Sequence, residues 1–295
     1  MSNEVIEHML LEKLTNFKER AYVFRIKERD IEEIERDAKA FAINFIGKSI
    51  KGELQPDLRR QNNSTILLFN KESRIRVYHN SGAIIAKNML GPLEDPITDT
   101  SEKEVLTERV TEAAKKIIDE EKFNDHPDGL RFERLWQIKA AGVTRDGQKG
   151  PVILCRVVGA FRRYLHGFPV WGGASAYAMI AGDNIIDSAG LDYRPCIENP
   201  IDRAGIIDPQ EAAELIIKKL SQDIGRSNLE NYIPEMFSLG YLSLPKRRRQ
   251  AFMQPVYAGV FRTIDKMNPS RFVALPALEV PYESIFRVSE GQPTR

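Results

Sequence analysis

Apolar positions near the start of the chain recur at helical spacing in two places. Ile6, Met9, Leu10, Leu14 and Phe17 are separated by charged residues, which predicts an amphipathic helix packed on the body of the protein. A second helix is expected from Asp30, with Glu33 three residues later completing a capping box and Ile31, Ile34, Ala38, Phe41 and Phe45 lining one face up to Gly47. After a polar loop over residues 56–63 the period falls to two. Residues 66–69 and the alternating Arg74-Ile75-Arg76-Val77-Tyr78 predict strands, and Asn80-Ser81-Gly82 turns the chain into another at 83–86.

The same order then returns. Pro92, Pro96 and Asp99 mark a linker, and Ser101 with Glu104 forms a capping box before a helix carrying Val105, Val110, Ala113, Ala114 and Ile117, ending near 119–122. Strands are expected at 135–140, 152–161, 170–180 and 185–191, with Asp146-Gly147 and Gly182-Asp183-Asn184 as turns. A third helix starts at Asp208-Pro209, with Glu211 in the box position and Ala212, Leu215, Ile216 and Leu220 as its buried stripe. Strands at 232–242, 252–261 and 272–278 follow it. The fold class read from this order is α+β, built from repeated helix-plus-antiparallel-sheet units. Their expected bounds are 1–92, 93–200 and 201–295, repeated in order and spacing rather than in residue identity.

Composition narrows the function classes. Across 295 residues, 43 Lys and Arg stand against 42 Asp and Glu, so a net charge of +1 provides no global field toward nucleic acid or an anionic membrane. Binding to a charged partner would have to be local. The start of the chain mixes acidic, basic and apolar residues, unlike a secretory leader, and no apolar run reaches the ~18 residues of a membrane span. A cytoplasmic protein without a membrane partner is expected. Cys155 and Cys196 fall in different segments and are expected as free thiols, with no zinc spacing around them.

The segment Gly159-Ala160-Phe161-Arg162-Arg163-Tyr164-Leu165-His166-Gly167-Phe168-Pro169-Val170-Trp171-Gly172-Gly173 runs into 176–180, a Gly182-Asp183 turn and 185–191. It resembles the PepSY and thermolysin-propeptide (FTP) type of module, in which a tyrosine, a glycine and a Pro-Val pair enter a strand before a closing hairpin. Gly240-Tyr241-Leu242 followed by Gln254-Pro255-Val256-Tyr257 is similar to the closing part of related modules, and together the likeness covers roughly a third of the chain. The resemblance implies a cystatin-like arrangement, a helix across a curled antiparallel sheet, and a role in inhibiting, chaperoning or regulating another protein. From the residues themselves, Pro169 fixes the backbone at a strand start, and Gly172 and Gly173 permit a bulge or the close approach of another backbone.

Among titratable residues, His166 stands beside Arg162, Arg163 and Tyr164 and is the weak candidate for acid–base work, although a water-facing turn histidine explains it as well. Asp187 is the second weak catalytic candidate, because a curled sheet under a helix can enclose a pocket. Tyr164, Trp171, Tyr177, Asp187 and Tyr193 are its expected lining, although aromatic residues on strands are more often core. His8, His79 and His126 form no spaced ligand set, and Asp125, Asp128 and Gly129 lack the closing glutamate of a calcium loop, so no metal and no cofactor are expected. Lys246-Arg247-Arg248-Arg249 is the one dense basic run. It could grip phosphate or an acidic partner, but without interleaved aromatics it does not point to nucleic acid, and a solvated loop is the default.

The leading expectation is a non-catalytic binding or regulatory protein that holds a peptide or partner protein on PepSY-like sheets. Exposed strand edges beside Gly172 and Gly173 would accept an extended segment, with Arg162, Tyr164, His166, Trp171, Tyr177 and Tyr193 around it. The rival is a cofactor-independent isomerase, cyclase or lyase acting on a small organic ligand inside the sheet. A homodimer is the default assembly for a protein with strand edges.

Overall fold

The computed structural model describes residues 3–47, 56–69, 73–88, 96–98, 102–123, 128–143, 145–172, 175–182, 185–264, 270–282 and 287–290. The fold is mixed α+β, with four α-helices and a large sheet among the described residues.

Helix α1 (Asn3–Leu11) ends before Leu14. The periodicity that includes Leu14 and Phe17 therefore overruns the helix. Leu14–Thr15 (β1) pairs in parallel with a strand from the other end of the chain, and Phe17 is exposed. Strand β2 (Arg20–Arg25) precedes α2 (Ile31–Ile46), which is capped as its sequence requires: Asp30 accepts a 2.7 Å hydrogen bond from the Glu33 backbone N–H, and Gly47 closes the helix at φ 71°.

The polar stretch expected as a loop holds an edge strand, β3 (Asp57–Gln61), continued by β4 (Ser64–Phe69), β5 (Ser73–Tyr78) and β6 (Ile84–Asn88). Helix α3 (Lys103–Ile117) has Glu102 at its N-cap without a side-chain cap bond; Ser101 lies outside the described residues. Then come β7 (Gly129–Val143), β8 (Lys149–Leu165), β9 (Phe168–Trp171), β10 (Ala176–Ile180), β11 (Ile186–Leu191) and β12 (Asp202–Gly205). Helix α4 (Pro209–Ile224) starts at Asp208, whose carboxylate accepts from the Gln210 N–H at 2.8 Å. The remaining strands are β13 (Tyr232–Leu242), β14 (Phe252–Met253), β15 (Pro255–Thr263), β16 (Arg271–Pro276) and β17 (Arg287–Glu290).

The main sheet runs β17-β16-β15-β13-β9-β8-β10-β11-β6-β5-β4-β3, with β1 on β13 and β7 on β8. It is not wholly antiparallel: β9 and β1 each run parallel to β13. A smaller sheet, β12-β2-β14, lies beside it.

The core divides differently from the three expected segments. In one apolar cluster α2 and α3 together cover β4, β5, β6, β11, β10 and β8, so residues on both sides of position 92 share one interior. Leu67, Ile75, Ala86, Ala189, Ala178 and Gly159 form a cross-strand row beneath these helices. The row is small toward β8 because α3 sits close there. A Cβ on Gly159 would stand 2.6 Å from Val110 Cγ1. In the second cluster α1 and α4 cover β13, β15 and β16, with Ile6, Leu10, Ile216, Leu220, Phe237 and Phe261 at its centre. The N-terminal helix thus belongs with the C-terminal strands. Each fully buried side chain of this size contributes about 1.5–3 kcal/mol, which outweighs any helix propensity in fixing where α1 goes.

Candidate functional site

The turn joining β8 to β9 is built from the sequence His166-Gly167. Leu165 and Phe168 are cross-strand partners, and the two residues between them have φ values of 50° and 82°. Two successive positive φ angles make a tight two-residue hairpin whose twist matches the strands it joins. Histidine tolerates this conformation better than most non-glycine residues. The His166 backbone N–H donates to Asp128 Oδ1, while Asp128 Oδ2 lies 3.9 Å from His166 Nε2. The imidazole stacks on Phe24 at 4.9 Å and leans on Tyr22 at 5.3 Å. These contacts anchor the hairpin to β2, and they give His166 a structural role as a turn residue.

Asp187 is equally committed. Its Oδ2 accepts a 2.8 Å bond from Arg156 Nε, with both side chains almost fully buried. The register slips between Met179 and Ile180, opposite Ser188 and Ile186, and this irregularity places Asp187 between the paired positions. A buried ion pair of this kind is costly to break from one side, because the remaining charge is stranded.

The other expected site residues do not converge on one pocket. The Arg162 guanidinium lies 4.3 Å from the Trp171 ring centroid, bonds the Val170 carbonyl at 3.1 Å and pairs with Glu133. Tyr164 carries the Arg131 guanidinium over its ring at 4.1 Å. Tyr193 holds Arg163 at 3.9 Å, and Arg163 Nη1 donates to the Arg194 carbonyl at 2.6 Å. Tyr177 packs against Gly190, where a Cβ would be 2.3 Å from the ring, and burial raises its hydroxyl pKa against a hydrogen bond with Ser188. Gly172 has φ 112°; Gly173 lies outside the described residues.

The strand beside Gly172 is not an open edge. β9 is paired by β8 on one side and β13 on the other, and the Ser243 N–H continues that seam to the Trp171 carbonyl at 2.8 Å. Gly240 makes the seam possible. A Cβ there would stand 2.5 Å from the Pro169 carbonyl oxygen. Gly240 and the Pro169-Val170 pair therefore join the two halves of the sheet, and β13 already occupies the side of Val170 and Trp171 that an added strand would need.

An open edge exists elsewhere. Among the described residues β7 pairs only with β8, across thirteen register positions from Gly129↔Tyr164 to Val143↔Lys149. On the other side of β8 the pairing with β10 stops at Val157↔Ile180. Beyond it the two strands continue as a ribbon, touched by the Ile97 N–H donating to the Leu154 carbonyl at 2.9 Å. The ribbon exposes Ile138, Ile153, Val143 (63 %) and Val152 (68 %). Both strands are longer than the 135–140 and 152–161 expected from the sequence. Asp146-Gly147, with Gly147 at φ 85°, was the available signal for a hairpin, and alternation on both sides of it marks the extra length.

The helix-free face of the same sheet is partly open. Ile66, Arg76, Ile85, Tyr177 and Arg134 share one cross-strand row with Gly190 and Ala160, and all five named side chains are half-buried. A cleft at the seam between the two halves is lined by Arg25, Lys27, Arg29, Asn80, Arg194 and Arg249, among others, and encloses about 250 Å³.

No protein-family model matches the chain, and no curated protein matches it. Among solved structures it is similar to an uncharacterized protein from Eubacterium rectale, with a TM-score of 0.54 and 10 % sequence identity over 96 % of this chain and 99 % of that one. At that identity the likeness is one of fold, and it spans both halves of the sheet.

Proposed function

We propose that the protein is a non-catalytic binding protein that holds an extended segment of a partner protein, and that the contact is made along β7 and the projecting β7–β8 ribbon. The observation that carries this reading is the β7 edge, which has no strand partner but β8 among the described residues and continues past the end of β10 with apolar side chains exposed on it. A two-stranded ribbon is marginal by itself in water, and an unpaired strand edge presents N–H and C=O groups ready for another chain. Three register shifts, at Phe132/Arg134, Ile138/Lys139 and Ala141/Val143, increase its twist. A segment that adds there must follow that twist, which favours a particular partner over indiscriminate stacking.

The PepSY-like reading supports the same conclusion. Two helix-covered regions of antiparallel strands are consistent with cystatin-like units, and modules of that type act on other proteins. The enzyme alternative is less favoured, because the helix-covered faces are filled by packed apolar side chains and Asp187 is neutralised by Arg156.

The test is selection of extended peptides from a displayed library on the intact protein, repeated on a variant with a shortened ribbon. Lys139 and Leu154 are cross-strand partners, so residues 140–153 can be replaced by Asn-Gly and the hairpin still closes. The expected result is a set of binders that is lost when the ribbon is shortened while the melting temperature is kept. Binders retained by the shortened protein contradict the proposal.

A further inference from the structure

The basic run Lys246–Arg249 keeps Arg247, Arg248 and Arg249 exposed to solvent, as expected of a solvated loop, but its backbone is held in place. Arg194, 2 % exposed, donates from Nη2 to the carbonyls of Leu244 (3.0 Å), Pro245 (3.3 Å) and Arg248 (3.0 Å), from Nη1 to Asn80 O (3.2 Å) and from Nε to Ser243 Oγ (3.3 Å). Gln250 is buried beside it and bonds the Leu244 N–H and the carbonyls of Leu242 and Phe252. Asn80 Nδ2, from the β5–β6 turn, donates to Arg247 O at 2.7 Å. The loop is thus stitched from both halves of the fold, with a buried guanidinium at the centre of the stitching. Burying a charge this way is expensive; carbonyl and hydroxyl oxygens accept from its donors, and the nearby Asp192 carboxylate interacts with it electrostatically.

What the loop presents is also specific. Arg249 lines the 250 Å³ cleft with Arg25, whose strand neighbour is Phe252, and with Arg194 in the floor. Among the described residues neither Arg25 nor Arg249 makes an ion pair, whereas Lys27 and Arg29 on the same wall are held by Glu33, and Arg29 also by Asp37. On the far side of the loop Arg247 and Arg76 line a second hollow together with Gln61 and Asn63. In a chain of net charge +1 this is a local concentration of cations beside Asp192 and Glu28; Arg25 and Arg249 are exposed and without an ion pair among the described residues, and the backbone of the loop that carries Arg249 is held in place.

We infer that the cleft is an anion site for an acidic peptide segment, with Arg25 and Arg249 binding its carboxylates and Arg194 holding the loop in place. Arginine's fixed fork suits carboxylates. Nucleic acid fits less well. The Tyr78 ring lies under the Lys246 ammonium at 5.4 Å and is mostly buried, so it offers no face for a base, and Glu28 interrupts the run of cations. The site is separate from the β7 edge and stands whether or not that edge binds a partner.

The experiment uses the full chain and a fluorescent ten-residue peptide of alternating Glu and Gly, with its Gln-Gly counterpart. The Glu peptide should bind about tenfold more tightly than the Gln peptide, and more weakly as salt rises. The double variant Arg25→Gln/Arg249→Gln should lose about tenfold in affinity at unchanged melting temperature. Lys103→Gln/Lys116→Gln on α3 and the shortened ribbon should bind as the parent does. Equal binding of both peptides, or equal losses in the two Lys/Arg variant pairs, overturns the inference. So does tighter binding of citrate or of a ten-nucleotide single strand than of the Glu peptide, which would assign the cleft to another class of anion.

Discussion

The Glu35 carboxylate shows how one side chain fixes a helix to a sheet. It lies on α2, nearly buried, and accepts from Arg60 Nε at 2.9 Å, Arg60 Nη2 at 2.7 Å and Thr65 Oγ1 at 2.7 Å. The Arg60 bonds, helped by Thr65 and opposed by burial, lower its pKa from 4.5 to about 2. A carboxylate with a depressed folded pKa adds stability above its ordinary value, and loses it as pH falls from 4.5 toward 2. Because Arg60 is largely exposed, solvent screens the pair, and we expect Glu35→Gln to cost about 1–2 kcal/mol at neutral pH. Denaturant melts from pH 7 to pH 2 should show that difference shrinking below 4.5; a constant difference would contradict the assignment. Asp187→Ala, which leaves the buried Arg156 guanidinium without its carboxylate, should cost about 3–5 kcal/mol, read from the urea midpoint, and an unchanged midpoint would contradict a structural role for the pair. His166 and Asp187 were visible in the sequence as titratable residues. Their partners, Phe24, Asp128 and Arg156, were not, since each pairing depends on strand register that no local pattern reveals.

Helices α2 and α4 were legible because their caps are written locally: Asp30 three residues before Glu33, and Asp208 before Pro209. Strand β3 was not. Its sequence Asp-Leu-Arg-Arg-Gln is that of a charged edge, and an edge strand protected by charge reads as a loop. The parallel meeting of β9 and β13 was also hidden, although Gly240 and the Pro169-Val170 pair that make it were singled out for another reason. Gly240→Ala should be among the most damaging single substitutions, because the new methyl meets the Pro169 backbone oxygen, which cannot rotate away. We expect a loss of about 1–3 kcal/mol, read from the urea midpoint, with Gly142→Ala on the ribbon, where nothing lies within 4 Å, as the comparison. Equal midpoints for the two variants would show that the seam relaxes.

At the scale of the whole molecule, one sheet carries two helix-covered cores and leaves a projecting ribbon uncovered. No helix among the described residues is long and apolar enough to cross a membrane. The α+β class followed from the repeated order of helix and strands. The joining of the halves did not, because α1 crosses from one end of the chain to pack with α4 and β13. The binding account rests on the ribbon, and amide hydrogen exchange with and without a library-selected peptide tests it most directly. The account predicts that the peptide slows exchange along residues 131–143, where outward-facing amides gain partners, with little change in α2 or α4. Protection confined to the helices or to the 244–251 loop, with the β7 amides unchanged, would contradict it.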